Sequence, residues 1–435
     1  MQLESVRQGR MPPRVASRPP LTTRYRQVRS TTARLCQPLA VEDYVVQTMP
    51  DVSPTKWHLA HTTWFFETFV LGHPTAPGAH EPFDARYAYL FNSYYNAVGE
   101  QYPRAERGLL SRPTVDEVWR YREHVDHAVG RLIEDIDPAG ELARIVELGL
   151  HHEQQHQELL ITDIKHVLAH NPLQPSYGAP DPPGPERSAP AMTYVHLEPG
   201  LVEVGHRDEG FCFDNELPRH RTYVAPFDLG SRLVTCGEYL AFMRDDGYAR
   251  PELWLSEGWA WRERERIQAP LYWQRDDGGW RLFTLAGPRA LRADEPVVHV
   301  SLYEADAFAR WAGARLPREH ELEVASRTAT LEGNFLDSGN LHPRPCPPTD
   351  SGRVGQLFGD GWTWTQSAYG AYPGYAPPSG ALGEYNGKFM CNQHVLRGGS
   401  CATPASHMRP TYRNFFPAGA RWQFTCIRLA KDPSS

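Results

Sequence analysis

His152-Glu153-Gln154-Gln155-His156 is the stretch from which the rest of the chain can be read. In a helix, residues four apart share a face at about 5–6 Å, so two imidazoles there can chelate one cation. The same face carries Ile145, Gly149, Leu159 and Asp163, at alternating steps of three and four, so both histidines point into a bundle core. Two histidines on such a face also occur as ordinary hydrogen-bonded core residues, and a third shifts the balance. His61 lies on the inward stripe of its own helical segment, with Trp57, Trp64 and Thr68. Bundle helices pack with axes about 8–10 Å apart, so His61 can complete a three-histidine site with His152 and His156. Three neutral ligands leave coordination positions open for substrate and for dioxygen or water. His58 and His151 point roughly 100° away on a helical wheel and are left out of the site.

The same five residues fit the HExxH pattern of zinc proteases. A metzincin would continue with a glycine and a third histidine, where Leu159 and Thr162 stand. A third ligand on a following helix has no place either, because a proline-rich segment follows. The protease reading is therefore set aside.

Working outward, four amphipathic helical patterns fill most of the first 170 residues. The first starts near Leu21. The second starts at Ser53-Pro54, with Ser as N-cap and Pro in the first turn. The third covers about Val115 to Ile136, and the fourth about Gly140 to His170. The connection from Gly72 to Arg112 is long for a bundle, and long ordered loops tend to carry function. Seven prolines between positions 172 and 190 read as a semi-rigid linker. Beyond it short strand-like runs, glycines and Trp-rich turns such as Gly361-Trp362-Thr363-Trp364-Thr365 predict a separate, irregular α+β domain. The first 34 residues hold eight Arg and one acid, Glu4, without the apolar core of a secretory signal. The division expected is a disordered Arg-rich tail (1–20), a helical bundle (21–170), a linker (171–191) and the α+β domain (192–435).

Composition narrows the function. Among 435 residues, 45 Lys and Arg against 52 Asp and Glu give a net charge of −7. A mildly acidic chain without a basic tract is a poor nucleic-acid binder, and no apolar run approaches the ~20 residues that span a bilayer. Seven cysteines without a CxxC pair suggest free thiols in the cytoplasm. No GxGxxG, GxxxxGK[ST] or GxSxG supports a nucleotide cofactor or a serine hydrolase.

Trp57-His58-Leu59-Ala60-His61 and His152–His156 resemble the iron-binding motifs of DinB-like four-helix bundles. Four stretches of the second half resemble the formylglycine-generating-enzyme/sulfatase-modifying domain, a C-type-lectin-like fold. They are Phe213-Asp214-Asn215-Glu216, Pro296-Val297-Val298-His299-Val300-Ser301, Ala314-Arg315-Leu316-Pro317-Arg318-Glu319 and Arg397-Gly398-Gly399-Ser400. Both domains in this order, over about residues 20 to 432, resemble the ergothioneine-biosynthetic sulfoxide synthases.

The resemblance implies a non-haem Fe(II) oxidoreductase that joins cysteine sulfur to imidazole C2 of hercynine, N-α-trimethylhistidine. Dioxygen then oxidises the thioether, giving hercynylcysteine sulfoxide. C–S bond formation and sulfur oxidation each supply two electrons, so no external reductant is needed, in keeping with the missing nucleotide motif. His61, His152 and His156 are the implied iron ligands; neutral imidazoles leave the cation's charge available to lower the thiol's pKa. Tyr94-Tyr95, in Asn92-Ser93-Tyr94-Tyr95-Asn96, resemble the tyrosine pair of one branch and are the implied proton or hydrogen-atom donors. The tyrosine that another branch supplies after a Tyr-Pro-Gly segment is not evident in Tyr372-Pro373-Gly374-Tyr375-Ala376-Pro377.

Gln155 and Asn414 resemble residues that hold hercynine, and the faces of Phe415 and Phe416 suit its trimethylammonium group. The branch using γ-glutamylcysteine has Asp at the position of Phe416 and Arg near Ala420; their absence points to free cysteine. Arg104 and Arg107 resemble a pair that clamps the thiol substrate's carboxylate. The partners implied are small molecules only, namely hercynine, cysteine and dioxygen. γ-Glutamylcysteine, a selenosugar or histidine itself stay as alternative substrates, though a histidine-using relative usually carries a methyltransferase domain as well. A formylglycine-generating oxidase would need cysteines where Thr403 and Met408 stand. A metal-free, lectin-like binding module is the remaining alternative. Which tyrosine acts, and the oligomeric state, stay open.

Overall fold

The structure, a computed structural model, describes residues 18–178, 188–207, 210–348 and 352–433. Most of the expected tail and the middle of the expected linker lie outside the described residues. The first half folds as α1 (Leu21–Cys36), α2 (Thr55–Phe66), the single turn α3 (Tyr87–Leu90), α4 (Val115–Asp135) and α5 (Glu141–His170). The long helices α1, α2, α4 and α5 pack on one another as the expected bundle. α4 opens in a capping box, with Thr114 Oγ1 accepting the Glu117 N–H and the Glu117 carboxylate accepting the Thr114 N–H.

α2 departs from the expectation that Ser53 caps it. Pro54 occupies the cap position, and no side chain caps the helix. Ser53 instead gives its N–H to Asp163 (2.8 Å), and its hydroxyl accepts from Arg107 (2.9 Å). A buried carboxylate and a buried guanidinium claim Ser53 more strongly than a helix end does, because bonds to charged groups are worth about twice neutral ones. All twelve residues of α2 are buried, as its apolar circumference requires. It approaches α5 closely because Gly149 carries no side chain. A Cβ there would sit 2.6 Å from the Phe66 ring and 2.9 Å from the Phe65 ring.

Among the described residues the second half contains α6 (Cys236–Arg244), α7 (Ser256–Glu265), α8 (Leu302–Trp311), α9 (Glu319–Ser326) and twelve short strands. β1 (Tyr194–Leu197), β4 (Phe227–Gly230) and β12 (Ala430–Lys431) form one sheet, in the order β1-β4-β12. β2 (Gly200–Val204) pairs with β3 (His220–Val224), and β5 (Trp273–Asp276), β6 (Gly279–Thr284) and β7 (Gly287–Ala290) form a meander. A four-stranded sheet runs β10-β9-β8-β11, from β8 (Trp362–Ala368), β9 (Gln393–Arg397), β10 (Asn414–Pro417) and β11 (Thr425–Cys426). Its strands are antiparallel except for the parallel β11–β8 pair. No described helix is long and apolar enough to cross a membrane.

α5 is the spine shared by both halves. Inside the bundle its Glu153 is fully buried against Arg29 (2.8 Å), Arg122 (2.5 Å) and Thr32 (2.6 Å). Toward the second domain, Glu158 accepts from Trp362 Nε1 (2.8 Å), Ser400 Oγ (2.5 Å) and Thr403 Oγ1 (2.6 Å). Gln154 donates to Ser406, and Gln155 donates to Tyr412. One apolar core runs continuously through bundle and α+β domain.

Candidate metal centre and cleft

The two histidines of α5 and His61 of α2 meet as the helical period predicts. Their ligand atoms lie within 4.8 Å of one another, and His61 Nε2 stands 3.2 Å from His152 Nε2. His61 is 0% and His152 1% exposed, while His156 opens onto a cleft. Burial pushes all three below the usual imidazole range, helped in His61 and His156 by the neighbouring imidazoles; His152 falls to about 3. All three are therefore neutral at physiological pH, the form that coordinates a metal.

Hydrogen-bond partners fix two of the tautomers. His61 Nδ1 donates to the Phe91 carbonyl (2.6 Å), so its Nε2 carries a lone pair. His58, expected to face away, instead reaches His156: its Nδ1 lies 2.9 Å from His156 Nδ1 and its Nε2 lies 3.0 Å from Asp163 Oδ2. A carboxylate only accepts, so His58 Nε2 carries hydrogen, His58 Nδ1 accepts, and His156 Nδ1 donates. His156 Nε2 is thereby left as a lone pair. Asp163 also takes the Ser53 N–H and Trp422 Nε1 (3.2 Å). His152 Nδ1 is buried without a partner. Two or more converging lone pairs, an unpartnered buried ring nitrogen and a carboxylate–imidazole support behind one ligand fit a bound divalent cation. Glu153, which a zinc protease would use as base, turns away from the triad. Burial pushes its carboxyl up, but Arg122 and Arg29 outweigh that and hold it at about 2.

His156 forms part of the wall of a cleft of ≈ 450 Å³ between bundle and second domain. Tyr94, Arg104, Arg107, Gln155, Asn414, Phe415 and Phe416 all line it. Arg107 is buried, donates to Ser53 Oγ (2.9 Å) and Ser93 Oγ (3.4 Å), and ion-pairs with no carboxylate among the described residues. Burial and then the charge of Arg104 lower its pKa to about 8. Its Cζ lies 3.3 Å from the ring centroid of Trp57, whose other side stacks on His61 at 4.5 Å. Arg104 is exposed and donates to the Asp51 carbonyl. Phe415 stacks on Tyr369 at 4.0 Å, and Phe416 packs edge-on to Trp422 at 5.7 Å. Gln155 Nε2 bonds Tyr412 (2.7 Å), whose hydroxyl also meets His407 Nε2 (3.0 Å). His407 Nδ1 in turn meets His151 (2.9 Å), so His151 does face away from the triad.

The Tyr94 and Tyr95 rings lie 4.8 Å apart, tilted by 31°, with Tyr94 on the cleft wall. Tyr95 is 0% exposed and its hydroxyl has no well-formed hydrogen bond. Burial raises both phenols well above the usual range, so they stay protonated. A third phenol, not foreseen from sequence, joins them. Tyr385 of the second domain lies 5.9 Å from Tyr94 and 5.7 Å from the His152 ring, stacked on Phe213. The only sequence signal was its place upstream of the Arg397-Gly398-Gly399-Ser400 motif.

Comparisons with known proteins agree with this architecture. The family described as "DinB superfamily" matches residues 24–160, and the "Sulfatase-modifying factor enzyme 1-like domain" matches 179–354 and 346–433. Hercynine oxygenase of Mycolicibacterium thermoresistibile is 32% identical over 412 residues, covering 88% of this chain and 88% of its own. Hercynine oxygenase of Mycolicibacterium smegmatis is 31% identical, covering 88% and 92%. The formylglycine-generating enzyme of Streptomyces coelicolor is 32% identical over 191 residues, only 39% of this chain and 58% of that one. Fold and site thus define a DinB-type helical bundle joined to a sulfatase-modifying-factor domain, with a three-histidine centre opening on the cleft between them. Within that class the chain belongs to the hercynine oxygenase family, the ergothioneine-biosynthetic sulfoxide synthases.

Proposed function

We propose that the protein is a non-haem Fe(II)- and O2-dependent sulfoxide synthase of the cytoplasm that joins L-cysteine sulfur to imidazole C2 of hercynine. Thiol, imidazole C2–H and dioxygen give the aryl sulfoxide and one water, so the reaction balances without a reductant. The observation that carries the reading is the convergence of His61, His152 and His156 on a cleft with an unpaired guanidinium and aromatic faces. His61, His152 and His156 would hold the iron, which when bound supplies a Lewis-acidic site for thiolate and dioxygen to meet.

The chain's own residues do the rest. Arg107 offers a buried cation to the amino-acid carboxylate, which would complete the guanidinium's empty bonding positions. Its seat against Trp57 fixes that anchor relative to His61. Arg104, at the rim, adds positive charge. Phe415 and Phe416 present ring faces to a quaternary ammonium, and Gln155 and Asn414 hold polar groups of the imidazole substrate. Tyr94, half-buried on the cleft wall, and Tyr95, fully buried behind it, stay protonated and are poised to deliver a proton or hydrogen atom toward the oxygen being reduced. Phe416 is apolar and Ala420 is buried at the two positions where the branch using γ-glutamylcysteine carries Asp and Arg, which favours free cysteine.

The test is oxygen uptake by Fe(II)-loaded protein given hercynine and cysteine, with product masses recorded and γ-glutamylcysteine run in parallel. Uptake requiring both substrates, with a product of their summed mass less two hydrogens plus one oxygen, supports the proposal. Turnover with γ-glutamylcysteine alone overturns the donor assignment, and silence with both overturns the reaction.

A further inference from the structure

Tyr94 and Tyr95 sit in a turn of the bundle's long loop, with the Tyr95 ring buried against Trp64, Phe65 and Phe69 of the bundle. Asn92 accepts the Tyr95 N–H (3.2 Å) and donates to the carbonyls of Tyr95 (3.1 Å) and Gly99 (3.0 Å). The next backbone groups are taken from nearly three hundred residues away. Glu384 Oε1 accepts the Ala97 N–H (2.8 Å) and Oε2 the Asn96 N–H (3.1 Å). Lys388, one turn along at i+4, donates to the Tyr94 carbonyl and to Glu384 (2.9 Å), with its ammonium 5.3 Å from the Tyr94 ring.

Both residues belong to a strap of two short 3-10 turns, Ala381–Glu384 and Gly387–Phe389. The strap also packs Tyr385 and Phe389 edge-on against Tyr94, the latter at 5.2 Å. Its far side is tied down by Asn386 donating to Asp214 (2.5 Å), which Tyr375 also bonds (2.7 Å). Two adjacent side chains thus occupy one carbonyl and two N–H groups of a four-residue stretch. That fixes the direction in which the Tyr94 ring leaves the backbone.

We infer that Glu384 and Lys388 are positioning residues: a latch from the second domain that holds the phenol pair of the bundle in register with the cleft. The inference rests on the reaction proposed above. The latch lies at the surface, so its ion pair adds little to global stability. What it supplies is geometry, and small misplacements of a reacting group are costly in rate. Glu384→Ala removes the acceptor of the Ala97 N–H and leaves the Asn96 N–H only the Tyr94 carbonyl (3.0 Å). Glu384→Gln keeps one carbonyl oxygen and is the conservative rescue. Lys388→Met removes the donor to Tyr94 while keeping the aliphatic stem.

Three readouts on the Fe(II)-loaded full-length protein test the latch. In Glu384→Ala the Ala97 amide exchanges with deuterium at least roughly tenfold faster and the Asn96 amide follows by less, while core amides are unchanged. kcat falls by roughly ten- to a hundredfold with the KM for both substrates within about threefold of wild type. Oxygen consumed per sulfoxide formed rises above the wild-type ratio. Lys388→Met moves the same way, and Glu384→Gln recovers part of each effect. Faster exchange with unchanged kcat and coupling makes the contact purely structural and overturns the inference, as does unchanged exchange. A wild-type protein silent with hercynine and either thiol fails the reaction itself, and the positioning role falls with it. A wild type that turns over beside an unimpaired Glu384→Ala overturns the latch alone.

Discussion

Asp163→Asn tests the tautomer chain that presents His156 to a metal. In the wild type, Oδ2 accepts from Ser53 N–H (2.8 Å) and His58 Nε2 (3.0 Å), and Oδ1 from Trp422 Nε1 (3.2 Å). An asparagine has one oxygen for these three donors. Its best placement keeps the oxygen toward Ser53 and His58 and turns the amide NH2 toward the Trp422 N–H, leaving two donors facing each other. That unsatisfied pair costs about 1–3 kcal/mol of stability, but equally with and without metal, so it cancels from the affinity. What does not cancel is the loss of negative charge behind His58. A neutral acceptor no longer polarises His58, and through it His156, toward the lone pair that binds. Replacing such a support typically costs 10–100-fold in metal affinity, about 1.4–2.7 kcal/mol. The assay is Co(II) or Fe(II) affinity by chelator competition, beside denaturant unfolding of the metal-free protein. We expect both to fall, the affinity by at least tenfold. A folded variant with affinity within about threefold of wild type would refute the tautomer chain.

Three further outcomes are expected. Glu153 has a folded pKa held at about 2, depressed from 4.5, so its contribution is present above pH 4.5 and lost as pH falls through 2. Glu153→Gln should cost about 3–5 kcal/mol at neutral pH by stranding Arg122, while Arg29 keeps Asp126 (2.6 Å), with the deficit shrinking below pH 4.5; urea unfolding at pH 7 and pH 3.5 checks both. Gly149→Ala should cost about 1–3 kcal/mol and lower Tm by a few degrees, because its Cβ meets Phe66 at 2.6 Å and Phe65 at 2.9 Å. An unaltered Tm would mean the rings yield freely. Arg107→Met should raise the thiol substrate's KM about ten- to a hundredfold, from losing bonds to a charged group worth about 1.5–3 kcal/mol, with the hercynine KM little changed. A rise confined to hercynine would reassign the guanidinium.

The sequence carried the triad because a helix converts spacing into direction. His152 and His156, and His61 with Trp57 and Trp64, share faces by period alone, and two buried faces in one bundle must meet. His58 was hidden because a wheel gives the direction of Cβ and not the reach of a ring. Its contact with His156 depends on how α2 crosses α5, and that crossing is set by Gly149, whose missing side chain lets Phe65 and Phe66 close in. The protease reading fell in sequence on Leu159, Thr162 and the proline-rich segment; Arg29 from α1 and Arg122 from α4 add a structural reason by taking the Glu153 carboxylate into the bundle. Ser53 was misread for the opposite reason. Local propensity named it a cap, but tertiary charges from Asp163 and Arg107 outbid a helix end. Tyr385 and its strap were out of reach, since nothing local to residues 381–389 shows that they dock on a turn near residue 95. What escaped the sequence is thus mostly support rather than ligand. Supporting contacts are made across elements, by side chains whose types are common everywhere, and their role exists only after α5 has drawn the two halves together. The function follows that division: α2 and α5 bring the triad together, and contacts between the domains set what stands opposite it.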